Sequence, residues 1–232
     1  MTAMSRDERL RAMLAEMSRV ENALRRRGTD NIAGVDEAGR GPLAGPVVAA
    51  AVVLPRDFSV LGVNDSKKLT EGRREALFGP IREAALAYGV GMADSGLIDR
   101  INILEATKLA MGQSLAGAAS MLSERLGPGA AIGHALIDAL TLDGIDMPQT
   151  GIVRGDEKSV SIAAASIIAK VTRDRLMLGY HRLYPTYGFD RHKGYGTREH
   201  IEAIGLHGLC PIHRRSFRLR GCPPGDAPAG RP

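Results

Sequence analysis

Gly34-Val35-Asp36-Glu37-Ala38-Gly39-Arg40-Gly41 is the stretch around which the chain is organised. A short apolar run, Ile32-Ala33-Gly34-Val35, ends in two adjacent carboxylates, and a Gly-Arg-Gly turn follows at once. Paired acids at a strand end repel each other unless a cation sits between them. Two glycines around one arginine let backbone N–H groups approach a ligand that side chains would otherwise block. One turn therefore offers a metal-ligand pair, Asp36 and Glu37. Beside it lies an anion- or hydroxyl-reading backbone surface at Gly39, Arg40 and Gly41.

Outward from this turn, residues 31–37 read as a strand. The Ala/Val run from Val47 to Leu54 reads as a second strand, buried on both faces. The short connection makes them an antiparallel hairpin. Upstream, Leu10, Met13, Leu14, Met17, Val20 and Leu24 recur at helical spacing, so residues 5–27 read as one amphipathic helix stopped by Gly28. Downstream, Thr70 caps a helix running to about Ala87. A strand at Gly89–Ala93, a long helix over 98–125 and strands at His134–Asp138 and Gln149–Arg154 come next. The helix from Ser159 to His181 has a nearly all-apolar first half, so it is expected to be buried. Thr197–Ile204 and Pro211–Phe217 read as short helices, and Gly221–Pro232 as a disordered Pro/Gly-rich tail. Strands first, then alternation with helices, imply a layered α/β or α+β domain.

The length of 232 residues suits one domain with an appendage. Net charge is +5, and Arg191–Arg220 alone holds seven Lys and Arg against two acids, so an anionic partner is expected at that segment. Cys210 and Cys222 have no C-x-x-C spacing, which argues against a zinc site and suits a reducing cytoplasm. The N-terminus lacks the apolar stretch of a signal sequence, and no run approaches the roughly 18 residues of a membrane helix. A cytoplasmic protein without a membrane partner is the expectation.

Three strand ends carry acids: Asp36 with Glu37, Asp138, and Asp156. Strand ends on one edge of an α/β sheet converge on the ligand crevice. Four carboxylates meeting there require counter-charge, and Mg²⁺ or Mn²⁺ are the hard ions that take oxygen ligands. For Asp156, just before a helix, an N-cap is the rival role, and Asp143, Asp146 and Glu157 are neighbouring acids that could be confused with the set. Lys67 and Lys68 follow a loop near the hairpin and could hold a phosphate. Arg173 and Arg175 read as a solvated face, and His134 as a satisfied core residue. In Tyr184-Pro185-Thr186-Tyr187-Gly188-Phe189 and His192-Lys193-Gly194-Tyr195-Gly196, rings alternate with bases and glycines, which suits stacking beside a phosphate contact. Tyr184 and Phe189 are expected under the loop and Tyr195 exposed.

Together these motifs resemble the ribonuclease HII family. They are Gly-Val-Asp-Glu-Ala-Gly-Arg-Gly-Pro, Asp-Ser-Lys-Lys-Leu, Gly-Asp with Ile-Ala-Ala-Ala-Ser-Ile-Ile-Ala-Lys-Val and Arg-Asp-Arg, Tyr-Pro-x-Tyr-Gly-Phe, and His-Lys-Gly-Tyr-Gly-Thr. The similarity runs from about Ile32 to about Phe217. It implies a ribonuclease H-like mixed sheet flanked by helices with a C-terminal helical region. The implied divisions are an N-terminal helical extension over 1–30, a catalytic domain over 31–220 whose basic helical part begins near 184, and a tail over 221–232. It also implies hydrolysis of the RNA strand of RNA–DNA hybrids, including single ribonucleotides embedded in DNA, with Mg²⁺ or Mn²⁺, leaving 5′-phosphate and 3′-hydroxyl ends. The family's four-carboxylate site falls on Asp36, Glu37, Asp138 and Asp156. Its 2′-hydroxyl-reading turn falls on Gly39, Arg40 and Gly41, and its junction tyrosine on Tyr195, with Lys67, Lys68 and Lys193 as further substrate contacts. A monomer is expected, with a replication clamp as a candidate partner of the tail. One departure stands out: the family often has Asp-Gly after its third acid, where this chain has Asp138-Ala139. The N-terminal extension is too short to be the additional domain of ribonuclease HIII. The rival readings are a resolvase-like nuclease that cuts plain DNA, and a hybrid-binding protein that cuts nothing.

Overall fold

The computed structural model describes residues 4–218. Five strands form one sheet: β1 (Ile32–Ala38), β2 (Val47–Val53), β3 (Ala87–Ala93), β4 (His134–Asp138) and β5 (Gln149–Ile152). Their order is β3-β2-β1-β4-β5. β1 and β2 form the expected antiparallel hairpin, with Val35 opposite Ala51, and β3 extends it antiparallel. β4 lies parallel to β1, with Val35 beside Ile137, and β5 lies parallel to β4. The sheet is therefore mixed, and the carboxyl ends of β1, β4 and β5 open on one edge.

β2 is buried along its whole length because helices cover both faces. Val47, Ala49, Ala51 and Val53 meet α5 (Ile103–Leu126) on one side. Ala50 and Val52 meet α3 (Glu71–Ala84) and α6 (Val160–Leu183) on the other. Helix α6 rests directly on β1 at Gly34, where a Cβ would stand 2.0 Å from the Ser161 carbonyl carbon. Only glycine permits that approach.

Several boundaries depart from the sequence reading, each for a local reason. The N-terminal helix breaks at Ser18 into α1 (Arg6–Met17) and α2 (Arg19–Arg26), with Ser18 Oγ donating back to Leu14 O at 2.8 Å. The long helix over 98–125 breaks at Asn102, which takes φ +70° and accepts from the Leu104 and Glu105 amides, so α4 (Ser95–Ile101) precedes α5. Helix α3 ends at Ala84, and β3 begins earlier than expected, at Ala87. Thr70, Ser159 and Thr197 cap α3, α6 and α8 (Arg198–His207). Residues 211–217 are not a helix. They form turns bridged to the glycine loop: Ala44 pairs with His213, Gly45 N donates to Ile212 O, and Arg214 N to Leu43 O. Backbone groups joined across the molecule in this way are unavailable for a helical turn. A single turn of helix, α7 (Phe189–His192), precedes α8. Among the described residues no helix is long and apolar enough to cross a membrane. The tail over 221–232 lies outside the described residues.

Candidate active site

Asp36 directly follows Val35, the last residue of β1 that pairs with β4. Continuing that register by one residue sets it beside Asp138, on strands about 4.8 Å apart. Asp138 Oδ1 accepts from Gly155 N at 2.7 Å, which draws in the turn Gly155–Glu157 carrying Asp156. The geometry thus brings Asp36, Glu37, Asp138 and Asp156 to one sheet edge. The N-cap role of Asp156 is overturned, because Ser159 caps α6. Ala139, in place of the family's glycine, takes φ +52°. That conformation costs a β-carbon-bearing residue about 1–2 kcal/mol, so the departure at Asp138-Ala139 is absorbed as local backbone strain. Asp143 stands apart, exposed and paired with Lys108 at 2.9 Å.

The cluster is electrostatically frustrated. Burial, then the charges of Glu37, Asp138 and Asp156, push the Asp36 carboxyl well above the usual range. Glu37 is pushed up by burial and Asp138, against the opposing pull of Arg40. Asp156 is pushed up by burial, by Asp65 and by Asp138. Lys67, 3.6 Å from Asp156, and Arg40, 3.4 Å from Glu37, offset this only in part. The Lys67 ammonium is raised overall, because Asp156, Asp36 and Asp65 outweigh its burial. Glu37 Oε2 is buried with no hydrogen-bond partner among the described residues. Among the described residues no three such groups meet at one ion-sized point. The donor set is all carboxylate and over-negative, with an orphaned oxygen, and fits a hard divalent cation.

Next to the acids the glycine turn is held from beneath. Arg214, 2% exposed, donates to Gly39 O at 2.5 Å, to Arg40 O at 2.9 Å and to Gly45 O at 2.8 and 3.0 Å. Arg173 is fully buried and donates to Ala44 O, Pro46 O and Lys193 O. The solvated-face reading of Arg173 is therefore wrong, whereas Arg175 is exposed and pairs with Glu75. Burial, then the neighbouring Arg173 charge, push the Arg214 guanidinium down to about 9. Gly39 sits at φ +96°, and a Cβ there would overlap Arg173 Nε. In a trans peptide the N–H points opposite the C=O. With the Gly39 and Arg40 carbonyls aimed inward at Arg214, the amides of Arg40 and Gly41 face outward.

Tyr195 is 44% exposed, as expected, with its ring 3.8 Å from where a Cβ on Gly41 would stand. Leu43 N donates to Gly194 O at 2.8 Å, tying the two loops together. Beneath them Phe189 is buried and Tyr184 partly so. Three histidines with fixed tautomers complete the support. Gly194 N donates to His192 Nδ1, whose Nε2–H donates to Tyr187 O. His200 Nδ1–H donates to Tyr195 O at 2.9 Å, leaving Nε2 to accept from His213 Nε2–H at 3.0 Å. His213 Nδ1 accepts from Cys210 N. Burial pushes both His200 and His213 down to about 4, so both are neutral.

The lysines divide. Lys67 faces the acid cluster, and Lys68 pairs with Glu157 at 3.2 Å. Lys193 is buried against Asp190 O and Glu71, in a recess of about 340 Å³ that Arg74, Lys170, Asp174 and Tyr195 also line. His134 is half-buried at the β4–β5 edge and bonded to Thr150 Oγ1, rather than in the core. Sequence reasoning missed Asp65, a buried fifth acid against Asp156, and the bracing roles of Arg173 and Arg214. For Arg173 a signal existed: it lies at helical spacing from Ile162, Ser166 and Lys170 and ahead of Met177, on the inward stripe of α6.

The ribonuclease HII family model matches residues 33–220. A ribonuclease HII of Acetivibrio thermocellus is 57% identical over 202 residues, covering 87% of this chain and 75% of the relative. The crystal structure of ribonuclease H2 from Pyrococcus horikoshii OT3 superposes with a TM-score of 0.62 at 29% identity, over 81% of this chain and 94% of that one. The ribonuclease HII of Archaeoglobus fulgidus, solved as a complex with PCNA, superposes with a TM-score of 0.61 at 27% identity, over 84% and 98%. This fold and these relatives place the chain in the ribonuclease HII family, as a ribonuclease H endonuclease acting on RNA–DNA hybrids.

Proposed function

We propose that this enzyme cuts on the 5′ side of ribonucleotides at RNA–DNA junctions, including single ribonucleotides embedded in duplex DNA, and leaves 5′-phosphate and 3′-hydroxyl ends. Asp36, Glu37, Asp138 and Asp156 hold the divalent ions, Mn²⁺ or Mg²⁺. Such ions supply an activated water and neutralise charge at the leaving oxygen. The outward amides of Arg40 and Gly41 hydrogen-bond the 2′-hydroxyl, the group that separates RNA from DNA. Tyr195 stacks on the sugar beyond the cut. Lys67 and Lys68 contact phosphate, and Lys193 contributes from its recess. The unit acts in the cytoplasm as a monomer, with α1 and α2 as an extension of the catalytic domain and a replication clamp as a partner.

The observation that carries this reading is the adjacency, on one strand end, of an over-negative acid cluster and a turn whose amides are aimed outward by Arg214. The test uses matched duplexes with and without one ribonucleotide, incubated with Mn²⁺, Mg²⁺ or chelator. Metal-dependent cleavage confined to the ribonucleotide duplex is expected. Equal cleavage of all-DNA duplex would indicate a resolvase-like enzyme, and metal-independent binding without cleavage a hybrid-binding protein. The basic segment after Arg191 predicts binding that weakens as salt rises.

A further inference from the structure

Glu21, on α2, is 1% exposed and far from the acid cluster in sequence. Its Oε1 accepts from Ser159 Oγ at 2.6 Å, Ser161 Oγ at 2.6 Å and Ser161 N at 3.0 Å, while Oε2 is buried without a partner among the described residues. The carboxylate thus sits on the first turn of α6, where the helix dipole favours negative charge. Burying a carboxylate is unfavourable before such compensation, and an apolar side chain would dock α2 without that cost.

That first turn supports three of the four acids. It packs on Gly34, two residues before Asp36, at a distance no side chain permits. Ser159 N donates to Gly155 O at 2.8 Å, and Gly155 N donates to Asp138 Oδ1 at 2.7 Å. Asp156 is the next residue along. We infer that Glu21 is a positioning residue for the acid cluster: it fixes the first turn of α6, and through it the Asp138 carboxyl and the Asp156 turn, in the arrangement that binds divalent metal. The N-terminal helices are on this account part of the machinery that holds the ions. The inference rests on the metal reading proposed above.

The test is Mn²⁺ titration calorimetry on the full chain, wild type against Glu21→Ala and Glu21→Gln, with melting curves alongside. Glu21→Ala should bind Mn²⁺ about tenfold or more weakly, the usual effect of losing an outer support of a metal site. Glu21→Gln, which keeps an acceptor oxygen, should fall between. Cleavage of a ribonucleotide duplex should lose kcat with KM unchanged. A role in folding alone would lower the melting temperature without moving the Mn²⁺ isotherm, and that result overturns the inference. Where Glu21→Ala does not fold, Ser161→Ala decides by the same comparison. Wild-type protein that binds no Mn²⁺ overturns the metal reading and this inference with it, whereas unchanged binding in the folded variants overturns the role of Glu21 alone.

Discussion

Arg214 Nη1 donates to the Arg40 carbonyl at 2.9 Å from a guanidinium that, among the described residues, has no carboxylate as a hydrogen-bond partner. Its acceptors are all backbone oxygens of the glycine turn. Lysine carries the charge without the planar fork, and each buried carbonyl left unsatisfied costs about 1–3 kcal/mol. Arg214→Lys should therefore lower the melting temperature by several degrees. It should also reduce the preference for ribonucleotide duplex over all-DNA duplex about tenfold, read as binding in chelator. An unchanged ratio of the two affinities would refute the orienting role of Arg214.

Asp36→Asn removes one charge from a site where burial and three neighbouring carboxylates disfavour it. Cleavage should be lost. The metal-free protein should nevertheless melt higher at pH 8, because a carboxyl whose folded value is raised opposes folding once it is ionised. Below the usual carboxylate range both proteins carry a neutral group there, and the difference should close. Calorimetric scans in chelator at the two pH values decide it; a variant less stable at pH 8 would contradict the reading.

Between their ordinary value near 6.5 and about 4, His200 and His213 stay neutral in the folded protein while unfolded chains take up protons. The stability tied to these rings is thus whole above pH 6.5 and drains as pH falls toward 4. The raised Asp36, Glu37 and Asp156 carboxyls act in the opposite sense, so melting temperature alone mixes the two. Imidazole proton shifts separate them: the His200 and His213 signals should stay flat down to about pH 5. A midpoint near 6.5 for either ring would show the tautomer chain beneath Tyr195 to be misassigned.

Tyr195 presents its ring beside Gly41, with the Lys170 ammonium 5.9 Å from the ring centroid. Stacking on such rings is worth roughly 1–3 kcal/mol by alanine substitution. Tyr195→Ala should lower kcat/KM on a single-ribonucleotide duplex by roughly ten- to a hundredfold, while Tyr195→Phe stays close to wild type. Steady-state kinetics on the two variants check this; equal losses would mean that the hydroxyl, not the ring, carries the contact.

The hairpin of β1 and β2 and the helix cap at Thr70 were legible because they depend on residues adjacent in sequence. So was the meeting of the acids that end β1 and β4, since the α/β pattern brings those strand ends together, whereas Asp156 lies on a turn four residues beyond the end of β5. What stayed hidden depends on pairing across the chain. Residues 211–217 carry no local mark of the bridge to Ala44. Asn102 reads as helical until its side chain is seen capping α5. Glu21 looks like any charge on an amphipathic helix until it meets Ser159 and Ser161. Arg173 was misread because charge was weighed ahead of its place on the inward stripe of α6.

Glu37 and Gly39 are separated by a single alanine on one stiff strand end. Any sugar engaged by the turn is thereby held at a fixed offset from any bond broken at the acids, as a gauge block fixes a gap. Substitutions elsewhere can tighten or loosen the grip on a duplex, but the offset itself changes only by inserting or deleting a residue there. On the function proposed above, the position of the cut relative to the sensed nucleotide is set by the chain length between two residues.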